Sequence, residues 1–428
     1  MKDRIYIKNV FDMQENENVL LRGWVHNSKD LKKVRFIILK DKSGRVQVTG
    51  VDGKTDAELF SLMDNLKRES AIEVRGEIKN TDMAPGGKEI LPTEIKIIAD
   101  AKDPLPIDVS DYSKTELPKK LDWRFVDLHS RRTQAIFKIQ STIMQAYREF
   151  MIDNGALEAV FPSLIGSSSE GGTEVYKLKY FEKEAVLSQS CQLYKQMLAC
   201  SMEKVFTIFT VWRAEKHNTV RHLNEARQLD YEECFVDDKD IMDIMAKTVQ
   251  YIIKIVKEKN VEELDILGVK DLEIPGVRYF TFAEVKEIME KEKIDMEKYD
   301  LSSAAEKKLG ELYGNDIIFV HDWPIDGKPF YIMPKENGLS CGFDAIWRGM
   351  EITSGGQRIH LPEILIERLK ANDLDPKDFE GYIESFRYGA PPHGGFGIGL
   401  ERLTMLMLNI ENIRDVTLFP RDRHRLTP

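Results

Sequence analysis

VWRAEKHNTVRHLNEARQLDYEE, residues 211–233, is the stretch on which the reading of this chain turns. Two strand-like runs flank a long polar loop carrying Lys216, His217, Arg221 and His222. Period-two alternation puts Arg213 and Glu215 on one face of the first run, and Asp230 and Glu232 on one face of the second. A charged hairpin loop of this kind suits the clamping of a polyanion, because Arg can bind phosphate oxygens bidentately. A solvated hairpin laced with surface ion pairs would carry the same residues.

Two further constellations follow. In CGFDAIWRGMEITSGGQR, residues 341–358, a two-residue turn at Arg348-Gly349 pairs Ile346 with Glu351. Asp344 then shares a face with Glu351, diagonally across the hairpin. Carboxylates that converge on one face repel unless a cation lies between them. Mg²⁺ shared with substrate phosphates would serve, and so would pairing with Arg348 or Arg358. In PPHGGFGIGLERLTMLML, residues 391–408, glycines at 394, 395, 397 and 399 lead into a helix with an apolar stripe. Glycine admits close backbone approach, either to a ligand or to a packed neighbour. The spacing fits neither the dinucleotide-binding nor the P-loop pattern. Arg402, in the first turns of that helix, could meet a phosphate.

The rest of the chain fits a soluble enzyme of several parts. Its 428 residues exceed one ordinary core, with 42% hydrophobic and 31% charged residues. Residues 1–102 hold five short strand-like runs, VLLRGWV, VRFIILKD, RVQVTG, AIEVRGEI and EILPTEIKII, and one helical stretch, DAELFSLMDNLK. That pattern suits a small barrel such as the OB-fold. Residues 103–130 carry three prolines and mixed charge and read as a hinge. Residues 131–428 mix helices and strands, including DIIFVHDW and PFYIM, and read as an α+β domain round an antiparallel sheet. Its first helix should be capped by Thr133, bury Ile136, Ile139, Ile143, Tyr147 and Phe150, and end at Gly155. No apolar run approaches the ~18–20 residues that cross a bilayer. The N-terminus has no apolar signal core, and the four cysteines form no C-x-x-C, so a cytoplasmic protein with reduced thiols is expected. The net charge of −10 weighs against nucleic acid as a partner in general, though local charge decides that question.

Taken in order, these motifs resemble the three signatures of class II aminoacyl-tRNA synthetases. The first helix with the strand ending at Pro162 is similar to motif 1, WRAE with LDYEE to motif 2, and GFGIGLERL to motif 3. The N-terminal barrel is similar to the anticodon-binding domain of the aspartate, asparagine and lysine branch. The terminal FPRDRHRLTP is similar to aspartyl enzymes of archaeal and eukaryotic type. The resemblance implies an enzyme that activates L-aspartate with ATP and transfers it to tRNA-Asp as a homodimer. It places Arg213 on the α-phosphate and Arg402 and His222 on the γ-phosphate. Glu215 falls on the adenine, with Arg221 among the ATP contacts. Asp344, Glu351 and Ser354 would carry Mg²⁺. Glu170, Gln192, Asp230 and Ser354 would contact aspartate, while Lys195 and Arg358 would hold its side-chain carboxylate. Cys191 stands where the family usually has proline.

An asparagine bound there would leave a buried cation unpaired, at roughly 3–5 kcal/mol, or 10²–10³-fold or more. The alternatives are an asparaginyl enzyme and a non-catalytic RNA-binding paralogue. For the tRNA, a turn at Lys42-Ser43 puts Val34, Phe36, Ile38 and Lys40 on one face with Arg45, Gln47 and Thr49. Ile37, Leu39, Val46 and Val48 then form the barrel core. Phe36 beside Gln47 makes a stacking platform next to an amide, as single-stranded RNA recognition requires. In the family, residues matching these two read the central anticodon uridine. His26 and Pro85 match residues that accompany charging of tRNA-Asn as well.

Overall fold

The computed structural model describes residues 4–166, 174–216 and 218–428. They divide into two compact units, residues 1–108 and 109–428. In the first, strands β1 (Asn18–Asp30), β2 (Val34–Asp41), β3 (Gly44–Val51), β4 (Ala71–Asn80) and β5 (Lys88–Ala99) close into a barrel, with helix α1 (Ala57–Asp64) between β3 and β4. Asp56 caps α1 by accepting the backbone N–H groups of Glu58 and Leu59. The β2–β3 register pairs Asp41 with Gly44, so the turn sits at Lys42-Ser43. Ile37, Leu39, Val46 and Val48 are accordingly buried in the barrel core. The barrel is closed by a parallel pairing of β3 with β5, Gln47 opposite Glu89.

The second unit is built on helices α2 (Arg131–Asp153), α3 (Gln192–Met202), α4 (Asp238–Lys259), α5 (Ser303–Tyr313) and α6 (Leu400–Leu408). Its main sheet uses β6 (Leu157–Glu158), β7 (Lys204–Trp212), β8 (Glu225–Cys234), β9 (Val277–Thr281), β10 (Ile317–His321), β11 (Gly342–Trp347), β12 (Met350–Arg358) and β13 (His393–Gly399). The order is β9-β10-β11-β12-β13-β8-β7-β6. It is antiparallel except for the two outer pairs, β9–β10 and β7–β6. Helix α2 buries Ile136, Ile139, Ile143 and Tyr147, with Phe150 half-buried against the same core. Its start differs from expectation. Ser130 stands at the cap, and Thr133 lies inside the helix, its hydroxyl donating to Asp127. Gly155, at φ +81°, follows its end, a left-handed position that glycine adopts without strain. PFYIM forms no strand; Ile332 makes only an isolated bridge to Arg358. Within residues 103–130, Leu117–Asp122 and Arg124–Asp127 are short helices. Buried Arg124 donates to the carbonyls of Arg414, Asp415, Thr417 and Leu418 and to the Asp127 carboxylate.

Candidate active site

The sheet order places β13 between β12 and β8, so residues far apart in sequence converge on one surface. There a cavity of about 230 Å³ is lined by Gln192, Lys195, Arg213, Asp230, Lys328, Asp344, Glu351, Ser354 and Arg358, among others. A second, of about 170 Å³, is lined by Arg213, Glu215, Arg221, His222, Glu351, Ser354 and Arg402. Arg213, Glu351 and Ser354 belong to both. Glu170 and His217 lie outside the described residues.

The floor of the first cavity is a buried charge network. Lys195 Nζ, on the first turn of α3, lies 2.8 Å from Asp230 Oδ1, 3.5 Å from Glu232 Oε2 and 3.0 Å from the Phe396 carbonyl. Arg358 Nε donates to Glu232 Oε1 at 3.0 Å and its Nη2 to the Gly395 carbonyl at 2.8 Å. Lys195, Asp230, Glu232 and Arg358 are each 3% exposed or less. Burial alone would pull the Lys195 ammonium down, but Asp230 and Glu232 more than offset it and its pKa ends raised. Arg358 is raised in the same way by Glu232. Asp230 Oδ2 is buried and has no hydrogen-bond partner among the described residues. Glu232, which the sequence placed on a strand face without a role, is the tie between the two cations. Gly395 explains how the tie fits: a Cβ there would lie 2.1 Å from the Tyr231 carbonyl oxygen and 2.2 Å from Glu232 Oε2. At that position, then, the glycine serves packing against Glu232. Gln192 turns its amide to Gln196 Oε1 at 2.8 Å.

The predicted hairpin turn is present. Ile346 faces Glu351 and Trp347 faces Met350, with Arg348 and Gly349 both at positive φ. A bulge after Ala345 shifts the register, so Asp344 is opposite Ser354. The cation on Asp344 is neither Arg348 nor Arg358 but Lys328, whose Nζ lies 2.5 Å from Asp344 Oδ2 and 3.9 Å over the Trp323 ring. Arg348 instead donates to Asn315 and to the Leu406 carbonyl. Burial, with the charges of Glu351 and Asp300, pushes Asp344 up to about 6 despite Lys328. Glu351 accepts from Arg402 Nη1 at 3.5 Å through Oε2 and at 3.2 Å through its carbonyl. Two carboxylates and a hydroxyl are a hard-oxygen donor set of the kind Mg²⁺ takes in company with phosphates.

Strand β7 ends at Trp212, so Arg213 and Glu215 belong to the loop rather than to a strand face. They are 4.0 Å apart, and Asn224 holds that backbone by donating to the carbonyls of both. Arg221 Nη1 lies 3.3 Å from Glu306 Oε2 on α5. Burial, then the charge of Glu351, raises Glu306 to about 7.

On the barrel, Phe36 and Gln47 line a cavity of about 530 Å³ with Ser28, Lys29, Thr49, Lys79, Met83 and Glu89. Gln47 Nε2 donates to Thr49 Oγ1 and Glu89 Oε2, both at 3.1 Å, and Thr49 donates to Glu89 at 2.5 Å. Glu89 is a contributor that sequence reading missed, because its approach depends on the closure of the barrel. His26 and Pro85 do not line this cavity. His26 is lowered to about 4 by burial and then by the charges of Arg45 and Lys40. Pro85 opens a short helical turn, Pro85–Gly87.

A family model described as tRNA synthetases class II (D, K and N) matches residues 116–423. The chain belongs to that family. An OB-fold nucleic acid binding domain model matches residues 19–98 of the synthetase. Among curated relatives, it is 44% identical to the "Aspartate--tRNA(Asp/Asn) ligase" of Archaeoglobus fulgidus over 99% of this chain and 100% of that one. It is 43% identical to the "Aspartate--tRNA(Asp) ligase" of Pyrococcus horikoshii over 99% of each. Among solved structures, asparaginyl-tRNA synthetase from Pyrococcus horikoshii with asparaginyl-adenylate superposes with a TM-score of 0.95 at 32% identity, covering 100% of both chains. No helix of the synthetase, among the described residues, is long and apolar enough to cross a membrane.

Proposed function

We propose that this synthetase activates L-aspartate with ATP and transfers it to the 3′ end of tRNA-Asp, and of tRNA-Asn as well. The observation that carries the amino acid is the buried network of the first cavity. Arg358 uses Nε and Nη2 on Glu232 and Gly395, and no hydrogen bond to a described residue involves its Nη1. That N–H group, with the Lys195 ammonium, suits a side-chain carboxylate. Asp230 lines the cavity and its buried Oδ2 accepts no hydrogen bond from a described residue, which suits an α-ammonium. An asparagine side chain would bring an NH₂ donor toward donors. Aspartate-dependent exchange of pyrophosphate into ATP tests this, followed by charging of purified tRNAs; exchange with asparagine but not aspartate would overturn it.

In this reading Arg213 holds the α-phosphate between the two cavities, with Gln192 and Glu170 beside aspartate. Glu215 meets the adenine, and Arg221, His222 and Arg402 take the outer phosphates. Asp344, Glu351 and Ser354 would hold Mg²⁺, which neutralises phosphate charge when bound. The aspartate α-carboxylate attacks the α-phosphorus and pyrophosphate leaves. A tRNA hydroxyl then opens the mixed anhydride. The acceleration comes from positioning and from fixed positive charge, so no protein nucleophile is required.

For the anticodon, Phe36 supplies the stacking face. The Gln47 amide nitrogen is turned to Thr49 and Glu89, so what Gln47 offers a base is its carbonyl oxygen. That acceptor matches the N3–H of uridine and opposes the N3 lone pair of cytidine. Phe36→Ala is expected to lower charging kcat/KM about 10–100-fold, as one lost stack implies, while pyrophosphate exchange stays unchanged. An equal fall in both activities would count against the assignment. Choice between the two tRNAs is assigned to His26 and Pro85, and charging assays with both transcripts decide it. Because burial keeps His26 neutral, its pKa being about 4, the ratio of tRNA-Asn to tRNA-Asp charging should be flat between about pH 6 and 8. A sigmoidal ratio with a midpoint near 6.5 that disappears in His26→Gln would contradict this.

A homodimer acting in the cytoplasm completes the proposal. The motif 1 segment after α2 leaves Val160 96% and Leu157 49% exposed, apolar surface that a second copy would cover. Sedimentation at micromolar concentration should give a species of twice the chain mass.

A further inference from the structure

The second half of the loop between β7 and β8, Asn218–Asn224, is tied down by segments outside the hairpin. Ile413 N–H donates to the Val220 carbonyl and Asn224 N–H to the Arg421 carbonyl, both at 2.9 Å. Between these ties sits Arg414, which uses three donors. Nη1 reaches the Thr219 carbonyl at 2.9 Å, Nη2 the Asn218 Oδ1 at 2.7 Å, and Nε the Asp422 Oδ2 at 2.6 Å. Asp422 is itself fixed, since its Oδ1 accepts the backbone N–H groups of His424 and Arg425 at 2.8 and 2.9 Å. The Arg414 and Asp422 side chains are only 12% and 7% exposed. On the other side, Arg221 of the loop leans on Glu306 of α5.

A polar loop left to itself would be ordered only when a ligand arrived, and the entropy of ordering would weaken binding. This loop carries Arg221 and His222 into the second cavity. Taking that cavity as the ATP site, as proposed above, we infer that Arg414, held by Asp422, is a positioning residue for nucleotide binding. It fixes the loop so that Arg221 and His222 already face the phosphates, with Glu306 setting the far side of Arg221. The C-terminal segment thereby belongs to the nucleotide-binding apparatus, although it lines neither cavity beyond Ile413.

The fork geometry is essential to the inference. A lysine at 414 keeps the charge but directs all its donors from one atom, so it cannot serve three acceptors on two segments in the same way. Arg414→Met is expected to raise the ATP KM about tenfold through lost preorganisation, with the aspartate KM changed by less than about twofold. Arg414→Lys and Asp422→Asn should each give an ATP KM between those of the parent and of Arg414→Met. Backbone hydrogen exchange over 218–224 should quicken about tenfold in Arg414→Met, with β8 unchanged. An unchanged ATP KM, an equal rise in both KM values, or faster exchange throughout the chain would each overturn the inference. Asp422→Asn retains the arginine and guards against a misfolded variant deciding the matter. If the parent shows no aspartate-dependent exchange, the proposed function fails. The hydrogen-exchange comparison still judges the brace, because it needs no turnover.

Discussion

Replacing Lys195 with methionine is expected to lower aspartate-dependent pyrophosphate exchange by about 10²–10³-fold or more, since a buried group left unpaired costs ~3–5 kcal/mol. Methionine fills a similar volume, so packing is not the issue. What changes is charge. Lys195 is the only cation within 4.0 Å of the Asp230 carboxylate among the described residues. Its loss sets Asp230 and Glu232 against an incoming aspartate carboxylate with Arg358 alone to answer them. The variant should also melt earlier, because the two carboxylates stay buried. Thermal melting and ATP binding on the same sample separate the two effects. A variant that melts early yet exchanges within tenfold of the parent would refute the role given to Lys195.

Arg213→Met is expected to behave differently, with kcat for exchange falling about 10²–10³-fold, as for loss of one preorganised donor in a transition state. The residue lines both cavities, and its backbone is held by Asn224, so in the proposed reading it stands where the two substrates meet. Its nearest carboxylate among the described residues, Glu215, is 4.0 Å away, too far to occupy the guanidinium fully. Aspartate KM should stay within about threefold, because an interaction strongest in the transition state shows in kcat. If only the ATP KM rises and kcat holds, Arg213 binds the ground state and the proposed placement is wrong.

Local features were legible in the sequence. Arg348-Gly349 and Lys42-Ser43 each set a hairpin register, and those registers correctly sorted Phe36 from Ile37 and paired Ile346 with Glu351. Alternation and turn chemistry are short-range, so they survive without the rest of the fold. The bulge after Ala345 was not legible, and it moved Asp344 opposite Ser354. Contacts made by sheet order were hidden as well. Glu232 reaches Arg358 because β13 lies between their strands, with a glycine where a side chain would block the way. Lys328 reaches Asp344 from the end of a single short helical turn, Ile325–Gly327, and no periodicity announces such a contact. Thr133 satisfied the sequence rule for a cap, yet the helix begins earlier and Thr133 satisfies Asp127 instead.

The pairing of Gln47 with Glu89 closes the barrel, and the same two side chains are hydrogen-bonded over the cavity beside Phe36. The seam of the cylinder and the proposed reading head are therefore one structure. A fluctuation that unzips the seam frees the Gln47 amide to rotate, and a rotated amide would present donors where it now presents an acceptor. Fidelity toward the middle anticodon base should then erode with temperature before the barrel itself unfolds, so that miscoding, rather than loss of charging, is the first symptom of heat.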